Sequence, residues 1–305
     1  MIKLTSFFSN RMILQRGFEE NRIWGYTAPG AKLSLSLVAS EHAEGDGEPS
    51  HFESIRADMQ GYFSFLLPFM DAGGPWRIVI EDEEERKVLE DVYFGDVFLL
   101  GGQSNMELPL SFPSLREEYG DELSGADYGL IRQFEVPKEY DFNEKRKMLT
   151  EGKWVKASGE ELLTFSAAGF FAAKAIYEKK KIPIGLYQTA VGGTPVKAWC
   201  APDTIKELGI DEQELSECAD SAYVAKTIEE ETARDKGWRK RAMEPFQTER
   251  EEEWREFFLP ALFLQTELRD FIGSLCFTRS FSLTEEQKKS TAVLHFGAMI
   301  DADEI

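Results

Sequence analysis

At 305 residues the chain has room for about two domains, each with an apolar core of its own. Its 35 Lys and Arg against 55 Asp and Glu leave a formal charge of −20, a field that repels phosphate backbones and anionic lipid and argues against nucleic acid or a membrane as partner. With 42% hydrophobic residues global disorder is excluded, and no window holds the roughly 18 consecutive apolar residues of a membrane span.

Met1–Gln15 interleaves Lys3, Ser9, Asn10 and Arg11 where an export signal needs an apolar run, so a cytoplasmic location is expected. Through residue 91 short apolar or alternating runs follow, Arg22–Tyr26, Lys32–Val38, Tyr62–Leu67 and Trp76–Ile80, separated by Gly and Pro signals. They predict an N-terminal β-sandwich domain over 1–91, with Ser40–Ser50 and Glu81–Arg86 as solvated turns.

From 92 to 256 the pattern becomes apolar strand, Gly-rich loop and helix, which predicts an α/β domain built on a parallel sheet. Val97–Leu100 reads as its first strand, Phe165–Lys181 as a helix ending in lysines that suit its negative end, and Ile182–Ala190 as the next strand. Tyr223–Phe258, dominated by charge, reads as solvated helices. Over 257–305, Leu275–Leu283 and Ala292–Met299 predict the beginning of a second β-sandwich, cut short at Ile305. Uncovered strands there would invite self-association. Cys200, Cys218 and Cys276 lack the paired spacing of zinc or redox sites, and three reduced, mostly buried thiols are expected.

Two blocks carry chemistry. Gly95–Leu100 followed by Gly101-Gly102-Gln103-Ser104-Asn105-Met106-Glu107 delivers a serine at the carboxyl end of a buried strand, where open α/β sheets bind ligands and where the adjoining helix start favours a developing oxyanion. The same spacing, Ser104-x-x-Glu107, also fits a capping box in which the serine merely caps a helix. Further on, Ile182–Val191 runs into Gly192-Gly193-Thr194-Pro195, with Thr194 and Pro195 as N-cap and first residue of a helix. Parallel strands would bring both loops to one sheet edge, with the Gly193 amide near Ser104.

At these blocks the sequence resembles the sialate O-acetylesterase family of the SGNH (GDSL-like) hydrolases. Gly102–Met106 looks like the nucleophile block and Gly192–Pro195 with Trp199 like the glycine block, while Phe8–Arg16 and Phe165–Gly169 extend the resemblance along nearly the whole chain. The resemblance implies an N-terminal β-sandwich, a three-layer SGNH-type (flavodoxin-like) α/β/α domain and an inserted β-sandwich. It also implies deacetylation of an acetylated sugar, sialic acid or a plant polysaccharide fragment, without metal or organic cofactor. Ser104 would be the nucleophile, with its own N–H and that of Gly193 as oxyanion donors; Gly192 belongs to the same block, and Gln103, Asn105 and Thr194 are candidate substrate contacts. Trp199 and Arg132 are further candidates, although a tryptophan on the helix after the glycine block is more often core than sugar platform.

The sequence departs from the family in having neither its Gln-Gly-Glu block, which supplies a third oxyanion donor, nor its Asp-x-x-His block, which supplies the base. His42 and His51 lie in the N-terminal β-domain and His295 in an apolar strand pattern, so the chain is expected to be the catalytically incomplete N-terminal portion of a long form. The competing reading is a non-catalytic acyl-sugar-binding protein. A flavodoxin-like nucleotide binder is disfavoured, since Gln103-Ser104-Asn105 makes a poor phosphate cradle.

Overall fold

The computed structural model describes residues 1–39, 49–139, 141–143, 145–210, 212–243, 254–259, 261, 263–273 and 275–291. The chain divides into two compact units, Met1–Ala201 and Pro202–Ile305.

The first unit is α/β, with mixed sheets and helices. Its strands are β1 (Lys3–Leu4), β2 (Ile13–Gln15), β3 (Arg22–Tyr26), β4 (Lys32–Ala39), β5 (His51–Arg56), β6 (Tyr62–Leu66), β7 (Gly73–Glu81), β8 (Arg86–Leu100), β9 (Asp127–Glu135), β10 (Trp154–Ser158) and β11 (Ile184–Gln188). Its helices are α1 (Ser104–Glu107), α2 (Pro113–Ser124), α3 (Gly159–Leu162) and α4 (Ala167–Lys180). The strands form a small antiparallel sheet ordered β1-β3-β6 and a large mixed one ordered β10-β9-β11-β8-β7-β4-β5, with β2 alongside β8.

Alternation decides which faces are covered: Leu33, Leu35 and Leu37 of β4 are buried while Ser34 and Ser36 between them are half-exposed. These leucines share a core with Ile78 and Ile80 of β7 and with Ile23, Phe63 and Phe65 of the small sheet. A second core packs Ala167, Phe170 and Ala173 of α4 with Ile131 of β9 and Ile184 and Leu186 of β11. The Ser166 hydroxyl caps α4 by accepting from the Gly169 N–H at 3.1 Å, and Lys179 and Lys180 occupy its last turn.

Strand β8 is the backbone of the unit. Arg86–Phe94 runs antiparallel to β7, Tyr93–Gly95 lies parallel to β2, and Asp96–Leu100 lies parallel to β11. The boundary expected at 91/92 therefore falls inside one unbroken strand of 15 residues. On its other side β11 pairs in parallel with β9, so β8, β11 and β9 end at one edge, where Leu100, Gln188 and Glu135 stand in register.

The second unit contains α5 (Pro202–Leu208), α6 (Glu212–Ala219) and α7 (Ser221–Met243). Helix α7 has the wet character expected of the charged stretch, with i,i+4 pairs Arg239–Asp235 at 3.0 Å and Lys226–Glu230 at 3.7 Å. The strand expected over Leu275–Leu283 does not form: these residues carry no strand, and Phe281 is 69% exposed. Strand pattern alone is insufficient without a neighbouring edge to take up the backbone N–H and C=O groups, and no described segment of this unit is a strand. The strand expected at Ala292–Met299, the charge run Glu249–Glu253, most of the Ser40–Ser50 turn, His42 and His295 lie outside the described residues. The three cysteines are free, as expected, but none is buried: Cys200 and Cys218 are half-buried and Cys276 is exposed.

Candidate active site

At the shared edge of β8, β11 and β9 three loops leave the sheet. Gly101–Gln103 leads from β8 into α1, a single turn with Ser104 as its first residue. Gln103 occupies the N-cap position and no side chain caps the helix, so the capping-box reading of Ser104 fails. The reason lies in Glu107, whose carboxylate turns away from its own helix: one oxygen accepts from the Gly192 N–H and the other from the Lys138 ammonium. The Ser104 side chain is left exposed.

The two glycine loops are stitched together. Thr189 N–H and hydroxyl both donate to the Leu100 carbonyl at 3.0 Å, Val191 N–H donates to the Gly102 carbonyl at 3.0 Å, and Gln103 Nε2 donates to the Thr194 carbonyl at 2.7 Å. Gly192 comes closest to the serine. A Cβ placed on it would lie 2.7 Å from Glu107 Oε2 and 3.2 Å from Ser104 Oγ, so any larger residue would displace one of them. At Gly193 φ is +78°, which glycine adopts freely, and the space beside its Cα is open. Among the described residues nothing engages the Gly193 N–H or the Ser104 hydroxyl.

The remaining sequence candidates divide. Asn105 is exposed beside Ser104. Thr194 is not an N-cap: Pro195 holds that position for the 3-10 turn Val196–Trp199, and the Thr194 hydroxyl donates instead to the Val191 carbonyl at 2.7 Å. Trp199 is not core, being 45% exposed with its indole N–H donated to Thr194 Oγ1 at 3.0 Å. Arg132 is no substrate contact, since its side chain is 1% exposed and donates to the Arg11 and Asp91 carbonyls at 2.7 and 2.6 Å and to Asp91 Oδ1 at 2.9 Å.

Sequence reasoning missed Glu107 as a cross-loop residue and missed Lys138 entirely. The only trace of the first was the serine-to-glutamate spacing, which a capping box shares. Lys138 sits in a loop after β9 with no motif around it.

Lys138 hydrogen-bonded to Glu107 holds that carboxyl below the usual range; partial burial works the other way, and the Gly192 N–H adds to the lowering. A lowered folded-state value means that the tie is complete above the ordinary glutamate value of about 4.3 and is lost as pH falls through the lower folded one. The Gly192 amide resonance is therefore expected to titrate with a midpoint below about 4.3 in wild type and to stay flat in Glu107→Gln. A wild-type midpoint at or above the ordinary value would contradict the tie.

Among the described residues the only histidine is His51, on β5. It faces Leu37, which faces Ile78, which faces Leu89, eleven residues before Leu100 on β8. At about 3.3 Å per residue those eleven positions put roughly 36 Å of strand between the level of His51 and the serine end of β8. No group of three or more His, Cys, Asp or Glu among the described residues could hold a metal ion, and no described helix is long and apolar enough to cross a membrane.

No family model matches the chain. The sialate O-acetylesterase of Homo sapiens is 28% identical over 224 residues, which is 69% of this chain and 41% of that protein. The enzyme of the same name from Rattus norvegicus is 27% identical over 219 residues, 68% of this chain and 39% of its own. Among solved structures, a carbohydrate acetylesterase from Xanthomonas citri superposes with a TM-score of 0.59 at 28% identity, covering 69% of this chain and 44% of that one. The chain is a relative of the sialate O-acetylesterases. It spans about two fifths of the length of the curated relatives it matches. In this sialate O-acetylesterase relative the serine and glycine blocks both lie in the first unit, at the edge where β8 and β11 end together.

Proposed function

We propose that this chain carries Ser104, the nucleophile of a carbohydrate O-acetylesterase that deacetylates sugars, and that it is catalytically incomplete by itself. The observation that carries the reading is the meeting of an exposed, unengaged serine with a Gly-Gly turn at one edge of a parallel sheet. In the reaction Ser104 Oγ attacks the acetyl carbonyl carbon as its proton passes to a base. The resulting oxyanion is held by the N–H groups of Ser104 and Gly193, and collapse breaks the bond to the sugar oxygen, which leaves as a hydroxyl by taking the proton back from the base. Water then releases acetate from the acetyl-serine. Gly192 takes no part as donor, because its N–H is given to Glu107. The SGNH type of layering and a cytoplasmic setting belong to the same proposal.

A second reading, binding of acylated sugar without turnover, is favoured by the distance of His51 from the site. Treatment with a fluorophosphonate followed by peptide mapping tests the first. Slow labelling confined to Ser104 and absent from Ser104→Ala is expected; label elsewhere, or none, would remove Ser104 as nucleophile and leave the binding reading.

A further inference from the structure

We infer that the exposed indole of Trp199 is the stacking platform for the sugar ring whose acetyl group reaches Ser104, and that the ring is a neutral acetylated pyranose. This deepens the reading above and rests on it.

Four observations carry it. First, Trp199 is 45% exposed, whereas Trp154 in the same unit is buried at 2%. Apolar indole surface left in water at this position is area that a ligand can cover. Second, its single polar atom is already satisfied, because the indole N–H donates to Thr194 Oγ1 at 3.0 Å. What remains offers no hydrogen bond, only a π face and C–H edges, and the apolar C–H face of a pyranose is a chemical match for such a surface.

Third, the ring is fixed in advance. Thr194 is held through its hydroxyl to the Val191 carbonyl at 2.7 Å and through its carbonyl to Gln103 Nε2 at 2.7 Å, so the platform is tied to the residue that precedes the nucleophile. An aromatic surface that need not be ordered on binding loses little entropy to its ligand. Fourth, Trp199 Cζ3 lies 3.8 Å from where a side chain on Gly101 would begin, so the indole leans on the strand end three residues before Ser104. A sugar resting there carries its O-acetyl substituents beside the serine. The preference for a neutral ring follows from the charge of −20, whose field opposes an approaching carboxylate.

Titration calorimetry with methyl 2,3-di-O-acetyl-xylopyranoside as neutral probe and 9-O-acetyl-N-acetylneuraminic acid as anionic probe tests this without requiring turnover. Trp199→Ala is expected to weaken binding of the neutral probe by about tenfold, Trp199→Phe by less, and Thr194→Val, which frees the ring without removing it, by about threefold. The anionic probe is expected to bind more weakly at low salt and to gain as salt is added. If the neutral probe binds wild type and Trp199→Ala within twofold of each other, the platform is overturned and the esterase reading stands. Binding of neither probe to folded wild type would overturn both. Tighter binding of the anionic probe at low salt would overturn the neutral preference. Should Trp199→Ala fail to fold, Trp199→Phe and Thr194→Val decide by the same comparison.

Discussion

Purified and incubated with a model acetyl ester, the chain is expected to release acetate at a rate on the order of 10⁴–10⁶ below that of a serine esterase with its triad intact. A serine hydroxyl is a weak nucleophile until a base accepts its proton. The described histidine lies at the far side of the large sheet, and Glu107, the carboxylate beside the serine loop, is already committed. Glu107 is bonded to Gly192 and to Lys138, and its lowered pKa makes it a poorer proton acceptor than an ordinary carboxylate. Ser104→Ala should therefore change acetate release very little. Robust turnover abolished by that substitution would reveal a base outside the described residues, and His295→Ala is the variant that would then identify or dismiss one.

Arg132→Ala is expected to lower stability by about 3–5 kcal/mol in urea unfolding. The guanidinium is buried and donates to the carbonyls of Arg11 and Asp91, with Gly129 O at 3.1 Å and the face of Tyr93 at 4.7 Å from its Cζ. Burial pulls the Arg132 pKa down from its usual range, while the Asp91 carboxylate opposes that shift. Arg11 and Asp91 both have positive φ, +70° and +58°, a conformation that disfavours side chains and that the arginine fork helps to hold. Truncation would leave those carbonyls buried without donors. Lys156, 2.8 Å from Asp91, would remain to neutralise the carboxylate but reaches none of them with a planar fork, so Arg132→Lys should recover only part of the loss. A loss below about 1 kcal/mol for Arg132→Ala would mean that water replaces the fork at little expense.

The contrast between Arg132 and Ser104 explains what the amino-acid order makes legible. Strands β3, β4 and β6 are readable because period-two alternation is a local property, and α4 because its apolar spacing and terminal lysines are local too. Ser104 is readable because an apolar run ending in two glycines has few uses besides presenting a residue at a sheet edge. Charge, by contrast, is visible in a sequence while burial is not, so Arg132 passed for a ligand contact and Trp199 for core. The i,i+3 spacing of Ser104 and Glu107 is common to a cap and to a pair that diverges toward different partners, and the choice depends on Gly192, some 85 positions away. Lys138 is invisible for the same reason: it meets Glu107 because β9, which it follows, ends at the same sheet edge as β8. Leu275–Leu283 has the pattern of a strand, but no described segment of its unit is a strand to pair with it.

Strand β8 also acts as a ruler. Sliding it by one residue would turn every side chain to the opposite face in both parts of the large sheet at once. A lock sits near its middle, where a Cβ on Gly95 would fall 2.0 Å from the Pro183 carbonyl, so neither Phe94 nor Asp96 can take that place. The nine positions from Gly95 to Ser104 are thereby measured out from a fixed mark, and the mark is held by β2 and β7, which precede β8 in the chain and pair with its first part. The part of the molecule that contributes no residue to the chemistry sets the height at which the serine stands.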